Sequence, residues 1–190
     1  LLIKIIYRVI GAEIFAASGV QTVLLLFGIA GMVAGSVSAI LSRRITTMEA
    51  FSSAAQIGYV FMGLGLGSEA GLLASCFHVL VHACCKPLLF LCAGRLSAVS
   101  AHHHSLKNLR GSAYRDVVAG VGFTVGALSM IGIPLFGGFV SKLYFASASL
   151  YSGRMALVLA GIALSTVLNA LYYVPAVLSI WGIAPEELKA

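Results

Sequence analysis

Long apolar blocks separated by short polar segments form most of the sequence. Four of these blocks are Gln21–Leu41, Ala50–Gly67, Val117–Val140 and Met155–Ala184, and a further long helix is predicted from about Ala70 to Leu96. An α-helix rises about 1.5 Å per residue, so blocks of this length can cross a hydrocarbon core of roughly 30 Å. The pattern predicts an all-α fold, a polytopic transmembrane helix bundle.

One of the apolar blocks contains strong helix breakers. Pro134 has no N–H, so the carbonyl of Met130 is expected to lack its usual helical partner. Gly137 and Gly138 allow the chain to turn without side-chain clashes. We predict a broken helix near Pro134, with an irregular segment within about Ile131–Gly138 that is buried between helices, because non-helical backbone at membrane depth needs cover from protein or a wet cavity.

The start of the sequence is already apolar. Leu1–Val9 carries only Lys4 and Arg8 as charged residues, and we interpret it as the second half of a spanning helix. Residues 1–190 are expected to form a single transmembrane domain fragment of about six spans plus the end of this preceding helix. The sequence contains no segment that indicates a separate soluble domain.

Composition supports an integral membrane protein and argues against other classes. The chain is 60% hydrophobic and 9% charged, whereas soluble domains contain about 25% charged residues. The net charge of +6 comes from basic residues scattered along the chain without a long basic run, which does not indicate nucleic-acid binding. The four cysteines form no paired C-x-x-C motif, so neither a zinc site nor another metal or cofactor site is predicted.

The charged residues also predict an orientation. If each predicted span crosses once, seven basic residues share one side: Arg43, Arg44, Arg95, Lys107, Arg110, Arg115 and Arg154. The acidic residues Glu13, Glu69, Glu186 and Glu187 share the other side. Because Lys and Arg are enriched in cytoplasmic loops, the basic side is expected to be cytoplasmic, in the bacterial cytoplasmic membrane.

Three ionisable residues lie one helical turn apart inside the Ala70–Leu96 helix. His78, His82 and Lys86 are spaced by four residues, which places them on one helix face over about 12 Å. A lysine at the bilayer centre costs roughly 2.5–3.5 kcal/mol, so it indicates a function. Imidazole accepts and donates protons near neutral pH, and a desolvated ammonium loses its proton more readily. The row therefore predicts a proton path, while a polar face that only joins helices is the alternative.

A second buried cation is predicted beyond the helix break. Lys142 follows Pro134 by eight residues, and transporters place ion sites at such breaks. We expect it to point into a polar space inside the bundle, and snorkelling to the headgroups is the alternative. Supporting polar residues are predicted at Glu49, Gln56, Ser129, Ser141, Tyr144 and Asn169. Lys142 is expected to be linked with Lys86 by water or by side chains such as Ser129, Ser141 or Tyr144.

Three segments carry a family resemblance. Ala50–Tyr59, Phe77–Gly94 and Gly126–Lys142, in this order, resemble the proton-translocating antiporter-like subunits of respiratory complex I (NADH–quinone oxidoreductase), Mrp-type sodium/proton antiporters and membrane-bound hydrogenases. The resemblance covers nearly the whole chain. It implies the C-terminal half of an antiporter-like inverted-repeat fold, with a further Glu and Lys on an earlier broken helix before Leu1.

The resemblance also implies roles for individual residues. It places His78, His82 and Lys86 on the central hydrophilic axis and makes Lys142 the terminal proton-transfer site. The chain departs from the family pattern at Thr46 and Thr47, where the family often has Lys-Arg, and at Pro87, where a small residue is common.

The function predicted from these features is translocation of protons, or of protons against sodium, across a membrane. The chain would act beside other membrane subunits of a respiratory or Mrp-type complex, with no bond chemistry or cofactor of its own. As an enzyme it would be only a subunit of an NADH–quinone oxidoreductase. Two other functions are considered: a structural scaffold subunit, and a membrane haem or metal protein that uses His78 and His82 as ligands.

Overall fold

The computed structural model describes residues 2–150 and 152–183, and within these the fold is all-helical, as predicted. Leu1, Glu186, Glu187 and Lys189 lie outside the described residues. The helices are α1 (Leu2–Lys4), a π-helical segment (Ile5–Ile10), α2 (Ala12–Ala17), α3 (Val20–Leu41), α4 (Ile45–Gly65), α5 (Glu69–Ala98), α6 (Ser112–Arg115), α7 (Val117–Ile131), α8 (Gly137–Ser149) and α9 (Met155–Trp181).

Among the helices of the described residues, three are long and apolar enough to cross a membrane. They are α3, α5 and α9, and α7 is a shorter apolar helix. Helix α4 has 21 residues, but its buried face carries Glu49, Ser52 and Gln56, which makes it less apolar than its neighbours. Many polar side chains of the bundle are buried between the helices, whereas many large apolar side chains are exposed on its outer surface.

Helices α3 and α4 pack closely through glycines. A Cβ atom on Gly28 would lie 2.5 Å from the backbone nitrogen of Met62, and one on Gly35 would lie 2.7 Å from that of Ala55. Neither position can hold a larger residue unless the helices move apart. This agrees with the role of small residues in helix packing within lipid. The close contact fixes the position of α4, which carries part of the site described below.

One end of the bundle brings together the basic residues of two loops. The backbone N–H of Ile45 donates to the carbonyl of His104 at 2.9 Å, and the N–H of Leu106 donates to Arg43 at 3.0 Å. These contacts confirm that the Arg43–Arg44 pair and the polar loop after α5 share one end. We call it the basic end.

Asp116 is the N-cap of α7 at the basic end. Its carboxylate accepts from the N–H of Ala119 at 3.0 Å and from Arg95 at 2.7 Å. The backbone hydrogen bond and then the arginine lower the pKa of the Asp116 carboxyl. The cap is therefore present at neutral pH and is lost only as the pH falls through this lowered value.

Arg154 lies at the opposite end, so the predicted orientation is wrong for this residue. Its guanidinium donates to the carbonyl of Gly65 at 2.9 Å and to the hydroxyl of Thr22 at 2.6 Å. The reason is that α7 and α8 follow one another and together make one passage through the bundle. The chain therefore leaves α8 at the end where α3 begins and α4 ends.

The orientation can be tested with two new cysteines in the full-length subunit, in a background without the native cysteines. His103→Cys marks the basic end, and Gly153→Cys marks the other end at an exposed position with open space around it. We expect a membrane-impermeant thiol reagent added outside intact cells to label the cysteine at 153 and not the one at 103, because basic loops face the cytoplasm. Labelling at position 103 alone would show that the basic end faces the outside of the cell and that the predicted orientation is wrong.

Candidate functional site

A buried ion pair joins α4 to α5. The Lys86 ammonium donates to the Glu49 carboxylate at 2.7 Å, and the two side chains are 6% and 0% exposed. Lys86 also donates to the Glu49 carbonyl at 3.1 Å and to the Tyr173 hydroxyl at 3.0 Å. An isolated charge in this position would cost several kcal/mol, so each ion depends on the other. Lys86 was predicted as a site residue, but Glu49 only as a supporting one.

A chain of hydrogen bonds leads from this pair across α9. Tyr173 lies 2.9 Å from the Ser52 hydroxyl, which lies 2.9 Å from the hydroxyl of Tyr172. Tyr172 donates to the Asn169 side-chain oxygen at 2.8 Å, and all of these residues are buried. We call Tyr173, Ser52 and Tyr172 the hydroxyl chain. Sequence reasoning missed Tyr173 and Ser52, although Ser52 follows Glu49 by three residues, and Tyr173 follows Asn169 by four.

The hydroxyl chain ends at the break between α7 and α8. The Asn169 amide donates to the carbonyl of Met130 at 3.1 Å, which is the carbonyl that Pro134 leaves without a helical partner. Helix α7 ends at Ile131, Gly132 has a φ of 89°, and α8 begins at Gly137. The predicted break is therefore confirmed, and a side chain from α9 takes the place of the missing backbone donor.

The middle of the break is not buried, contrary to the prediction. Ile133, Pro134 and Leu135 are exposed, and Leu135 is 99% exposed with a φ of 83°. Only the two ends of the segment, at Ile131 and Gly138, are buried. In the described residues no helix packs over the turn itself, which leaves its middle uncovered.

Lys142 extends from α8 back to the C-terminal end of α7. Its ammonium donates to the carbonyl of Ile131 at 2.5 Å and to the Thr166 hydroxyl at 2.8 Å, and the residue is 7% exposed. The nitrogen also lies 5.8 Å from the ring centroid of Tyr59. In the described residues the two ion pairs are Lys86–Glu49 and Arg95–Asp116, so no carboxylate pairs with Lys142 there. Lys142 points into the bundle, as expected, and does not snorkel.

The two histidines of the predicted row occupy different surroundings. His78 is buried, its Nδ1 lies 3.0 Å from the Ser141 hydroxyl, and its ring lies 5.0 Å from that of Tyr59. His82 is half-buried. No direct hydrogen bond joins His78, His82 and Lys86 to one another in the described residues, and the Nε2 atoms of both histidines have no protein partner there. Helix α5 is continuous through Pro87.

The remaining predicted residues divide into two groups. Gln56 and Ser141 are buried, with the Ser141 hydroxyl 3.0 Å from His78, and the Ser129 hydroxyl accepts from the N–H of Gly138 across the break at 3.3 Å. Tyr144 is 50% exposed and packs against Phe77, and in the described residues it makes no direct hydrogen bond with either lysine. The contacts that connect the region of Lys86 with the break come instead from α9.

The part of the chain that the structure describes contains no group of three or more His, Cys, Asp or Glu side chains that could hold a metal ion. Its cysteines are free, with Cys92 buried and Cys76 and Cys84 exposed. The geometry is thus that of ionisable and hydroxyl groups placed for hydrogen bonding.

Comparisons with known proteins identify the family of this chain. Residues 2–168 match the profile of the family described as NADH:quinone oxidoreductase/Mrp antiporter, TM. The chain belongs to this family. It is therefore a membrane protein, as its apolar helices indicate.

Individual members of the antiporter family are similar over most of this chain. NADH-quinone oxidoreductase subunit N of Desulforudis audaxviator is 35% identical over 88% of the chain and 34% of its own length. A chain in the structure of the Mrp complex from Dietzia sp. matches with a TM-score of 0.84 and 31% identity, over 95% of this chain and 33% of that one. A chain of respiratory complex I from Thermus thermophilus matches with a TM-score of 0.66 and 26% identity, over 87% and 37%. This chain therefore spans about a third of the length of these relatives.

The ion pair can be tested with a double-mutant cycle in the purified full-length subunit. Lys86→Met leaves a buried carboxylate without its partner, so we expect a loss of about 3–5 kcal/mol of stability. Adding Glu49→Gln removes the unpaired charge and should recover about 2 kcal/mol, measured by reversible denaturation in detergent. Strictly additive effects of the two substitutions would show that the pair does not contribute as a unit.

Proposed function

We propose that this chain carries part of a proton-translocation path across the membrane. The observation that supports this most directly is the buried Glu49–Lys86 pair at 2.7 Å, which is continuous through hydroxyl groups with the helix break beside Lys142. Ionisable groups inside a membrane bundle are costly, and a function such as ion movement explains why they are present.

The two lysines have the chemistry of protonatable sites. Lys86 can pass a proton to the Glu49 carboxylate at hydrogen-bond distance, which converts two buried charges into two neutral groups. Lys142 has only the Ile131 carbonyl and the Thr166 hydroxyl as hydrogen-bond acceptors. Because its hydrogen-bond partners are neutral, the Lys142 ammonium loses little interaction energy with them when it releases its proton. This suits a group that exchanges protons.

Water is expected to complete the path between these sites. The side-chain atoms without a protein partner include Gln56 Nε2, Tyr59 Oη, His78 Nε2, His82 Nε2 and Ser165 Oγ. Buried polar atoms in native proteins nearly always have a hydrogen-bond partner, and ordered water supplies it where protein does not. Such waters, together with His78 and His82, would carry protons between the region of Lys86 and that of Lys142.

The partners of the full-length protein follow from the same proposal. The similar chains occur in an Mrp complex and in respiratory complex I, so we expect other membrane subunits and the lipid bilayer as surroundings of this chain. Protons are the proposed transported ions, and exchange of protons for sodium is the alternative mode of transport at the same site. No nucleic acid is expected as a partner.

The proposal predicts a specific loss of transport in the full-length subunit within its complex. Lys86→Arg keeps the charge but cannot release a proton at working pH, so we expect proton uptake by inverted vesicles to fall about tenfold or more. Lys142→Gln should have a similar effect, because a neutral amide cannot be protonated.

An exposed lysine supplies the matched control. Lys107 lies in the loop at the basic end, and Lys107→Arg should leave uptake unchanged. If the Lys86→Arg and Lys142→Gln subunits assemble normally and still support uptake at the wild-type rate, the chain is a structural scaffold in its complex and the proposal is wrong.

A further inference from the structure

A crevice opens on the outer surface of α9 near the basic end. Its volume is about 530 Å³, within the range of roughly 300–1,000 Å³ that is usual for ligand sites. The lining comes from the polar loop after α5, from the last two turns of α9 and from the residues that follow: Arg110, Pro175, Leu178, Ser179, Gly182 and Ile183. The crevice therefore combines one guanidinium with a mostly apolar lining.

Two aromatic residues mark the depth of the crevice in the membrane. Trp181 directly precedes Gly182, and its ring packs edge-to-face on that of Tyr114, with the centroids 5.4 Å apart. Tyr114 is exposed, and the indole N–H of Trp181 donates to the Thr124 hydroxyl at 2.9 Å. Tryptophan and tyrosine are enriched where the hydrocarbon core meets the headgroups. The end of the crevice at Gly182 therefore lies at the level of the headgroups.

The apolar part of the crevice extends from that level into the hydrocarbon. Pro175 lies about 10 Å from Gly182 along the axis of α9, at 1.5 Å per residue. Leu178 lies between them and is 66% exposed. Helix α9 is long and apolar enough to cross a membrane, and the hydrocarbon core contains no water to cover this surface. The apolar lining thus suits the hydrocarbon chain of a lipid.

The charge of the basic end determines which headgroup fits. The basic residues of the described chain at this end are Arg43, Arg44, Arg95, Lys107, Arg110 and Arg115. The carboxylates closest to this end in sequence are already paired, Asp116 with Arg95 and Glu49 with Lys86. Arg110 is exposed and belongs to neither of these two ion pairs, which are the ones found in the described residues. A negatively charged headgroup is therefore attracted here, whereas a headgroup that carries an ammonium is less favoured.

We propose that this crevice binds an anionic phospholipid. The Arg110 guanidinium holds the phosphate, because its planar set of N–H donors matches two phosphate oxygens. One acyl chain lies along Leu178 and Pro175 towards the bilayer centre. None of the lining residues belongs to the proposed proton path, so the lipid site does not depend on the proposed function.

Quenching of Trp181 fluorescence by brominated lipids measures binding at this site. The full-length subunit, with Trp181 kept as its one tryptophan, is placed in phosphatidylcholine vesicles that contain a small fraction of brominated phosphatidylglycerol. We expect an affinity about fivefold higher than for brominated phosphatidylcholine at the same fraction, which is the effect of one basic residue on an anionic lipid. Arg110→Gln should remove most of this preference.

Two matched controls separate a site from general attraction to the basic end. Lys107→Gln removes the same charge from the same loop but does not line the crevice, so it should keep most of the preference. Leu178→Phe fills the apolar part and should reduce quenching by phosphatidylglycerol. Leu171→Phe lies two turns away on the same exposed face of α9, outside the crevice, and should leave the quenching unchanged.

Three outcomes would overturn the proposal. An equal loss of preference in Arg110→Gln and Lys107→Gln would leave only diffuse attraction to the basic end. Unchanged quenching in Leu178→Phe would show that no acyl chain occupies the crevice. A preference that is missing in the wild-type subunit and appears when Glu186→Gln and Glu187→Gln are combined would assign the crevice to that acidic segment, which lies outside the described residues.

Discussion

A polar group buried between membrane helices has to find its partner within the protein, and this requirement determines how the inner helices pack. Lys86 and Glu49 each cost several kcal/mol if buried alone, so α4 and α5 are held where the two meet at 2.7 Å. The carbonyl of Met130, freed by Pro134, imposes the same condition on α9, which supplies Asn169. The positions of four helices thus follow from two groups that lipid cannot solvate.

The hydroxyl chain connects these two requirements. Tyr172 and Tyr173 are adjacent in sequence, yet both hydroxyls reach Ser52 on α4, so that α9 bonds to the ion pair and to the break at once. Networks of this kind are strong when every member is satisfied, and a single missing partner weakens the whole. A change at one end is therefore felt at the other, which is the physical basis for treating the pair and the break as one site.

The spanning helices and the helix break could be predicted from the sequence, because they depend on local features. These features are the length of each apolar block and the helix-breaking residues near Pro134. The rarity of buried ions also pointed to His78, Lys86 and Lys142. Contacts between helices were harder, since the partner of Lys86 depends on how α4, α5 and α9 are aligned, which periodicity does not determine. The error for Arg154 has a simple cause: α7 and α8 have 15 and 13 residues, each too short to cross roughly 30 Å alone.

The positive charges of the two buried lysines are stabilised in different ways, and this difference affects how each lysine can take part in proton transfer. Lys86 faces a full negative charge on Glu49, whereas Lys142 faces the carbonyl of Ile131, the last residue of α7. A helix C-terminus carries about half a negative charge, which stabilises a cation by at most about 2 kcal/mol. The break therefore creates the site of Lys142 by exposing a helix end to it. Any movement that separates α7 from α8 would remove this stabilisation, whereas the pairing of Lys86 with Glu49 would stay intact.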